Sequence, residues 1–226
     1  MCFSPMVTDV TRYAGRGRTA DPYADLVLSV DRATIARRLT EFPRIAADRP
    51  DLKQAAVAVC VTVHDAAISL LLTRRQARLR GHAGQWALPG GRRDPGEEAV
   101  EGALREMAEE VDLVLRGDAV LGILDDYVTR SGYVMTPVVC WAGEQGEITG
   151  HPDEVASVHQ VPVADLDVAP RFISIPESDA PVIQLPLFGR YVHAPTAAII
   201  YQFCRIACHG EVQRVAEYEQ PVFAWK

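Results

Sequence analysis

Glutamate is concentrated at one place in this sequence. Glu97, Glu98, Glu101, Glu106, Glu109 and Glu110 all fall between positions 97 and 110. At about 3.6 residues per helical turn, Glu106, Glu109 and Glu110 share one face, apart from an apolar stripe of Val100, Ala103, Leu104, Met107 and Val111. Carboxylates at this spacing repel one another and raise each other's pKa. They also sit toward the negative end of the helix dipole, where further negative charge is unfavourable. A solvated acidic face is the ordinary reading of such a helix. A divalent cation would remove the penalty, since carboxylate oxygens, a backbone carbonyl and water make a hard-oxygen site suited to Mg²⁺ or Mn²⁺. "WALPGG" upstream ends in a double-glycine turn, where bare backbone can meet a ligand.

The segment before the glycines has the opposite charge. "TRRQARLRGHAGQ" carries Arg74, Arg75, Arg78 and Arg80, with Arg92 and Arg93 following the glycines. Guanidinium groups suit phosphate through paired hydrogen bonds. The whole chain has a net charge of −7, which argues against binding nucleic acid. It leaves room for an anionic small molecule held by local arginines. His82 reads as an ordinary loop histidine. Glu154 could complete the acidic site from another loop, but a helix-cap or surface role is the expectation.

The elements that must position these residues follow from periodicity. "SVDRATIARRLTEF" at 29–42 has a Ser or Asp cap and apolar residues at Ile35, Leu39 and Phe42, and reads as a short helix. Residues 54–65 and 67–75 read as two strands forming a hairpin, the first buried. The acidic helix runs roughly over 97–111. Two strands, over 119–129 and 133–143 and joined at 130–132, and a further one near 155–163 follow. The Pro-rich stretch 169–187 reads as irregular chain, and an amphipathic helix at 196–208 closes the domain. Strands and helices in this mixture point to an α/β sandwich. The expected division is an N-terminal arm over 1–50 and one domain over 51–226.

Composition sets outer bounds. The chain has 226 residues, 48% of them hydrophobic, enough for one domain with a sizeable core. No apolar run approaches the roughly 20 residues of a membrane span, and "MCFSPMVTDVTRYAGRGRTADP" resembles no secretory leader. A cytoplasmic protein without a membrane partner is expected. The five cysteines include no CxxC pair. Cys204 and Cys208 are expected to be buried core residues rather than a metal or redox pair.

Gly91, Glu97, Arg105-Glu106-Met107, Glu109-Glu110 and Leu113 together resemble the Nudix box, G-x5-E-x7-R-E-U-x-E-E-x-G-U with U aliphatic. Asp112 alone departs, standing where the pattern has glycine. The resemblance implies an α/β/α sandwich around a mixed sheet and metal-dependent hydrolysis of a nucleoside diphosphate linked to another moiety. It implies that Glu106, Glu109, Glu110 and the Gly90 carbonyl hold the metal. Glu106, Glu109 and Arg105 belong to the catalytic set, Glu106 helping to activate water. The Glu97–Arg105 pair braces the loop. Glycine in the pattern ends the helix in a left-handed conformation, which aspartate tolerates better than most residues.

"LLTRRQARLRGHAGQWALPGG" resembles the motif of the coenzyme A pyrophosphatase branch, L-L-T-x-R-(S/A)-x3-R-x3-G-x3-F-P-G-G. Gln76 and Leu88 are its departures. "SGYVMTPVV" and "DEVASVHQVPVADL" extend the likeness loosely to residue 166. By this resemblance Arg75, Arg80 and Gly91 contact substrate, and coenzyme A or an acyl derivative is hydrolysed to 3′,5′-ADP and a 4′-phosphopantetheine product. Two rivals remain open. One is a Nudix pyrophosphatase acting on ADP-ribose, a dinucleotide or a nucleoside triphosphate. The other is a catalytically idle fold that senses a nucleotide. The sequence leaves the state of assembly, monomer or homodimer, undecided.

Overall fold

The computed structural model describes residues 30–76 and 84–225. Helix α1 (Arg32–Glu41) is capped by Asp31, whose carboxylate accepts from the Thr34 N–H at 2.7 Å. Strands β1 (Lys53–His64) and β2 (Ala67–Arg75) form the expected hairpin. Their two-residue turn has Asp65 and Ala66 at positive φ, the geometry that matches strand twist. Then come β3 (Trp86–Ala87), β4 (Gly90–Arg92) and α2 (Ala99–Val111). Strands β5 (Val120–Ile123), β6 (Tyr127–Val128), β7 (Tyr133–Glu144) and β8 (Val155–Pro162) complete one sheet.

That sheet runs β3-β2-β1-β7-β5, with β4 also on β1, β6 on β7 and β8 on β2. Strands β1 and β7 are parallel and the other pairings antiparallel, so the sheet is mixed. β1 is buried on both faces, which is why its apolar run is continuous rather than alternating. Ala56, Ala58 and Cys60 pack under α2 with Ala103, Met107 and Val111. Val57, Val59 and Val61 face the larger core, which includes Ile35 and Leu39 of α1 and most of α4 (Thr196–His209). Helices thus cover both faces of a mixed sheet, the α/β/α arrangement expected. No helix among the described residues is long and apolar enough to cross a membrane. Cys204 and Cys208 are free and buried on α4, as are Cys60 and Cys140 in the sheet.

Three expectations need correction. Residues 169–187 are not irregular. After a short helix, α3 (Val163–Leu166), strands β9 (Arg171–Ile175), β10 (Ser178–Leu187) and β11 (Arg190–His193) form a second, three-stranded sheet with β10 in the middle. Prolines ordinarily argue against a central strand because they lack an N–H. Here Pro181 falls within the register irregularity between Ser178 and Val182, and Pro186 lies beyond Gln184, where pairing with β9 has ended. Each proline occupies a stretch where the β9 ladder is already missing. The second correction is at the double glycine. Gly90 and Gly91 belong to β4, paired with β1, rather than to a turn. A Cβ on Gly90 would lie 2.4 Å from the Ala56 carbonyl oxygen, so β4 can approach β1 only without a side chain.

The stretch expected as one strand over 119–129 is broken into β5 and β6 at Leu124–Asp126. The break frees two aspartates for a latch. Asp125 accepts from the Ile45 N–H at 2.7 Å, from the Gln202 amide at 2.9 Å and from Arg214 at 3.0 Å. Asp126 accepts from the Ala47 N–H, from Arg44 and from Thr136, each within 2.9 Å. Segments before β1 and after α4 are thereby tied to the middle of the chain.

Helix α2 ends as the departure from the box pattern required. Asp112 has φ 53° and ψ 28°, and its N–H and that of Leu113 close onto the Ala108 and Met107 carbonyls. Asp112→Gly should therefore be neutral or stabilising by about 0.4–1 kcal/mol, read from urea unfolding midpoints. Clear destabilisation would mean that the aspartate side chain makes a bond the helix end needs.

Candidate active site

Glu97 lies in the loop before α2, and Arg105 reaches back from the helix to grip it. The guanidinium meets the Glu97 carboxylate at 2.8 and 3.1 Å, a two-pronged bond between loop and helix. The same group donates to the Arg92 carbonyl, to Glu106 and to Glu109, each at 3.0 Å. This bond holds the Glu97 carboxyl below its usual range and raises Arg105 further. Arg93 also clamps the Glu97 carbonyl, so the loop is tied at both its backbone and its side chain.

With the loop fixed, β4 lies against the glutamate face. A Cβ on Gly91 would come within 2.3 Å of the Glu106 carboxylate. A side chain at this position would therefore push the Glu106 carboxylate out of its place. Glu110, one turn further along, is only 4% exposed. Burial pushes its pKa up to about 7, assisted by the charges of Glu106 and Glu154 and opposed by Arg75 and a Gly90 backbone hydrogen bond. Burial also raises Glu106, with Arg105 opposing and Glu109 and Glu154 adding repulsion. Glu109 is turned outward onto Arg105 and is 59% exposed.

Glu154, expected to be a helix-cap or surface residue, lies in a loop placed near the acidic face. It is exposed, yet its charge reaches both Glu106 and Glu110. Its loop is placed by long-range bonds: the His151 N–H donates to the Glu110 carbonyl at 2.7 Å, and the Gln76 N–H donates to the Glu154 carbonyl at 2.9 Å. The Gln76 side chain adds bonds to the Pro152 and Val155 carbonyls. Gln76, a departure from the branch motif, thus acts as an anchor for the Glu154 loop.

Arg75 stands between the acidic face and a cleft. Its guanidinium is 3.7 Å from the Glu110 carboxylate, and it lines a cavity of about 340 Å³ together with Gly90, Gly91 and Arg92. The opposite wall comes from the β6–β7 turn, the start of α4 and the C-terminal tail: Thr129, Ser131, Tyr133, Thr196 and Gln220. "SGYVMTPVV" had drawn attention to Ser131 and Tyr133. Nothing local to Thr196 or Gln220 marks them, because only chain folding brings them to the cleft. Arg78, Arg80 and His82 lie outside the described residues.

The structure therefore brings together Glu97, Arg105, Glu106, Glu110, Gly90, Gly91 and Arg75, with Glu109 at the rim. Among the described residues, no three acidic, histidine or cysteine side chains converge as a ready-made cation cluster. The donor set nonetheless fits a divalent cation. It is all oxygen, and its carboxylates are buried or crowded enough to repel one another without one.

The NUDIX domain family matches residues 52–184, more than half the chain. The chain belongs to the Nudix family. It is 37% identical to an uncharacterized Nudix hydrolase, NudL, of Pectobacterium atrosepticum, over 66% of this chain and 80% of that protein. NudL of Photorhabdus laumondii is 42% identical over 43% of this chain and 52% of its own length. A Nudix hydrolase crystal structure from Alicyclobacillus acidocaldarius aligns with a TM-score of 0.51 over 70% of this chain and 92% of that one. At 19% identity that likeness speaks for the fold alone. As a Nudix hydrolase the chain is a pyrophosphohydrolase, of a family that generally acts on nucleoside diphosphate derivatives and generally uses divalent metal ions.

The raised Glu110 pKa makes a thermodynamic prediction. Folded protein keeps this proton up to about pH 7, whereas an unperturbed glutamate releases it near 4.5. Between those values the folded state binds more protons, so this group's contribution to stability falls as pH rises through the window and is flat above it. Metal-free wild type should lose stability relative to Glu110→Gln across that window, measured by urea unfolding in chelator at its two ends. A pH-independent difference would contradict the assignment of a buried, proton-holding Glu110.

Proposed function

We propose that this Nudix hydrolase cleaves the diphosphate of coenzyme A or an acyl derivative, in the cytoplasm, with Mg²⁺ or Mn²⁺ as cofactor. The observation that carries the reading is the position of Arg75. It falls on the branch motif by sequence, and in the fold it joins the acidic face to the cleft, 3.7 Å from Glu110. A diphosphate lying along this line would meet a guanidinium at the point where the carboxylates begin.

Glu106 and Glu110, with Glu109 or Glu154 at the rim and the Gly90 carbonyl nearby, are the groups that would hold the ion. A divalent cation there neutralises phosphate charge and favours attack at phosphorus. The protein supplies the rest. Arg75 orients the diphosphate, and the Glu97–Arg105 bond fixes the loop that places β4 against the glutamates. Glu106, with its pKa raised, takes the proton of the attacking water. Water oxygen bonds to one phosphorus, the bridging P–O bond breaks, and the products are 3′,5′-ADP and a 4′-phosphopantetheine.

A panel of coenzyme A, acyl-coenzyme A, ADP-ribose, a dinucleotide and a nucleoside triphosphate, with products identified by mass, tests the substrate. Fastest turnover of a coenzyme A compound is expected. Ready cleavage of ADP-ribose with none of coenzyme A would overturn the branch and keep the family. Glu106→Gln and Glu110→Gln should each lower turnover by about a hundredfold or more at saturating metal. Near-normal activity in either would remove that residue from the mechanism.

A further inference from the structure

Among the described residues, the cleft has only two charged side chains in its lining, Arg75 and Arg92, and both stand on strands beside the glutamates. The side chains that line the cleft from the β6–β7 turn, α4 and the tail are uncharged. Met135 and Ile199 supply its apolar surface, and Thr129, Ser131, Thr196 and Gln220 its polar groups. Thr196, Ile199 and Gln220 lie beyond residue 184, where the family match ends. The C-terminal segment thus supplies part of this wall, and the β6–β7 turn and β7 supply the rest.

Gln220 is the most constrained of these groups. It is 2% exposed, and its side-chain oxygen accepts the Arg130 N–H at 2.8 Å. That bond settles the orientation of the amide: the oxygen faces the turn, so the NH₂ is left as a donor on a residue that lines the cleft. Its neighbour Glu219 grips the Arg130 side chain at 2.6 Å, and the Tyr127 hydroxyl donates to the Tyr218 carbonyl at 2.9 Å. Tyr218, Glu219 and Gln220 thus fasten the tail to β6 and the β6–β7 turn.

The aromatic rings of the cleft are already engaged within the protein. Trp86 carries Phe188 stacked at 4.1 Å, His159 against it at 4.7 Å and the Arg74 guanidinium at 5.9 Å. Lys53 sits over the Tyr133 ring at 5.3 Å. A nucleobase gains most from an open aromatic face, whereas a flexible aliphatic amide chain needs apolar walls and a few placed donors. A 3′-phosphorylated ribose would also need cations, and of the two beside this wall Arg130 is held by Glu219 and Lys53 sits over the Tyr133 ring.

We propose that the C-terminal wall of the cleft seats the uncharged pantetheine arm of the substrate, not its nucleotide, and that Gln220 sets this preference by donating its amide N–H to a carbonyl of that arm. The proposal rests on the coenzyme A reading above and adds which half of the molecule lies where.

The test uses the full chain, with binding of 4′-phosphopantetheine and of 3′,5′-ADP measured separately by calorimetry. Two variants divide the roles of the amide. Gln220→Glu keeps an oxygen for the Arg130 N–H and loses the donor; Gln220→Met loses both. Both variants, checked for folding by thermal melts, should bind 4′-phosphopantetheine about three- to tenfold more weakly, with 3′,5′-ADP unchanged. With coenzyme A as substrate, KM should rise by a similar factor and kcat change less. Weakened 3′,5′-ADP binding would put the nucleotide in the cleft and overturn the proposal. Weakening in Gln220→Met alone would reduce Gln220 to a support for the turn, and no change in either folded variant would remove it altogether. Wild type that binds 4′-phosphopantetheine but cleaves no coenzyme A would sink the functional reading and leave the cleft assignment standing.

Discussion

Arg105 makes bonds in four directions, and the arrangement of the acidic face follows from them. Its guanidinium ties the Glu97 loop, the Arg92 backbone, Glu106 and Glu109 to one point on α2. Without that anchor, a loop and a short strand would face carboxylates that repel one another. With it, β4 is brought so close to Glu106 that a Cβ at position 91 would displace the carboxylate. One cation therefore organises several anions while leaving Glu110, the most buried of them, for a different partner across the sheet. Arg75 meets that need only in part, at 3.7 Å, which is why burial still dominates the Glu110 pKa.

The sheet makes this arrangement stiff. β1 is covered on both faces, and it pairs with β4 on one side of the site and with β7, parallel, on the other. Glycines of the acidic site and lining residues of the cleft thus share one central strand as their reference. The Asp125 and Asp126 latch extends that reference outward, fastening the segment before β1 and the segment after α4 to the break between β5 and β6. A buried carboxylate satisfied by several donors is costly to disturb, since any loss leaves a charge or donor without a partner. The C-terminal tail depends on the same region: it closes onto the β6–β7 turn through Tyr218, Glu219 and Gln220.

Much of this was legible in the sequence, and the reason is locality. The hairpin of β1 and β2, the apolar stripe of α2, the crowding of its glutamates and the left-handed end at Asp112 all depend on residues within a few positions of each other. Periodicity and side-chain chemistry record such features directly. The continuous apolar run of β1 likewise announced a buried strand. Family resemblance then connected Glu97 to Arg105 across eight residues, a bond between the helix and the loop that directly precedes it.

What tertiary structure alone decided lies at long sequence separation. Whether Gly90 and Gly91 form a turn or a strand depends on β1, more than thirty residues earlier. Pro181 and Pro186 read locally as breakers of strand, and only the end of β9 and a register shift make them harmless inside β10. Glu154 reads as a surface residue until bonds from Gln76 and to the Glu110 carbonyl carry its loop to the site. Gln220 has no local signature at all; its meaning comes from the Arg130 N–H that orients its amide. The sequence by itself determined the elements and the charge they carry, because those follow from neighbours along the chain. The fold determined which charges meet and which wall faces the cleft, because those contacts form only when segments far apart in sequence pack against a common strand.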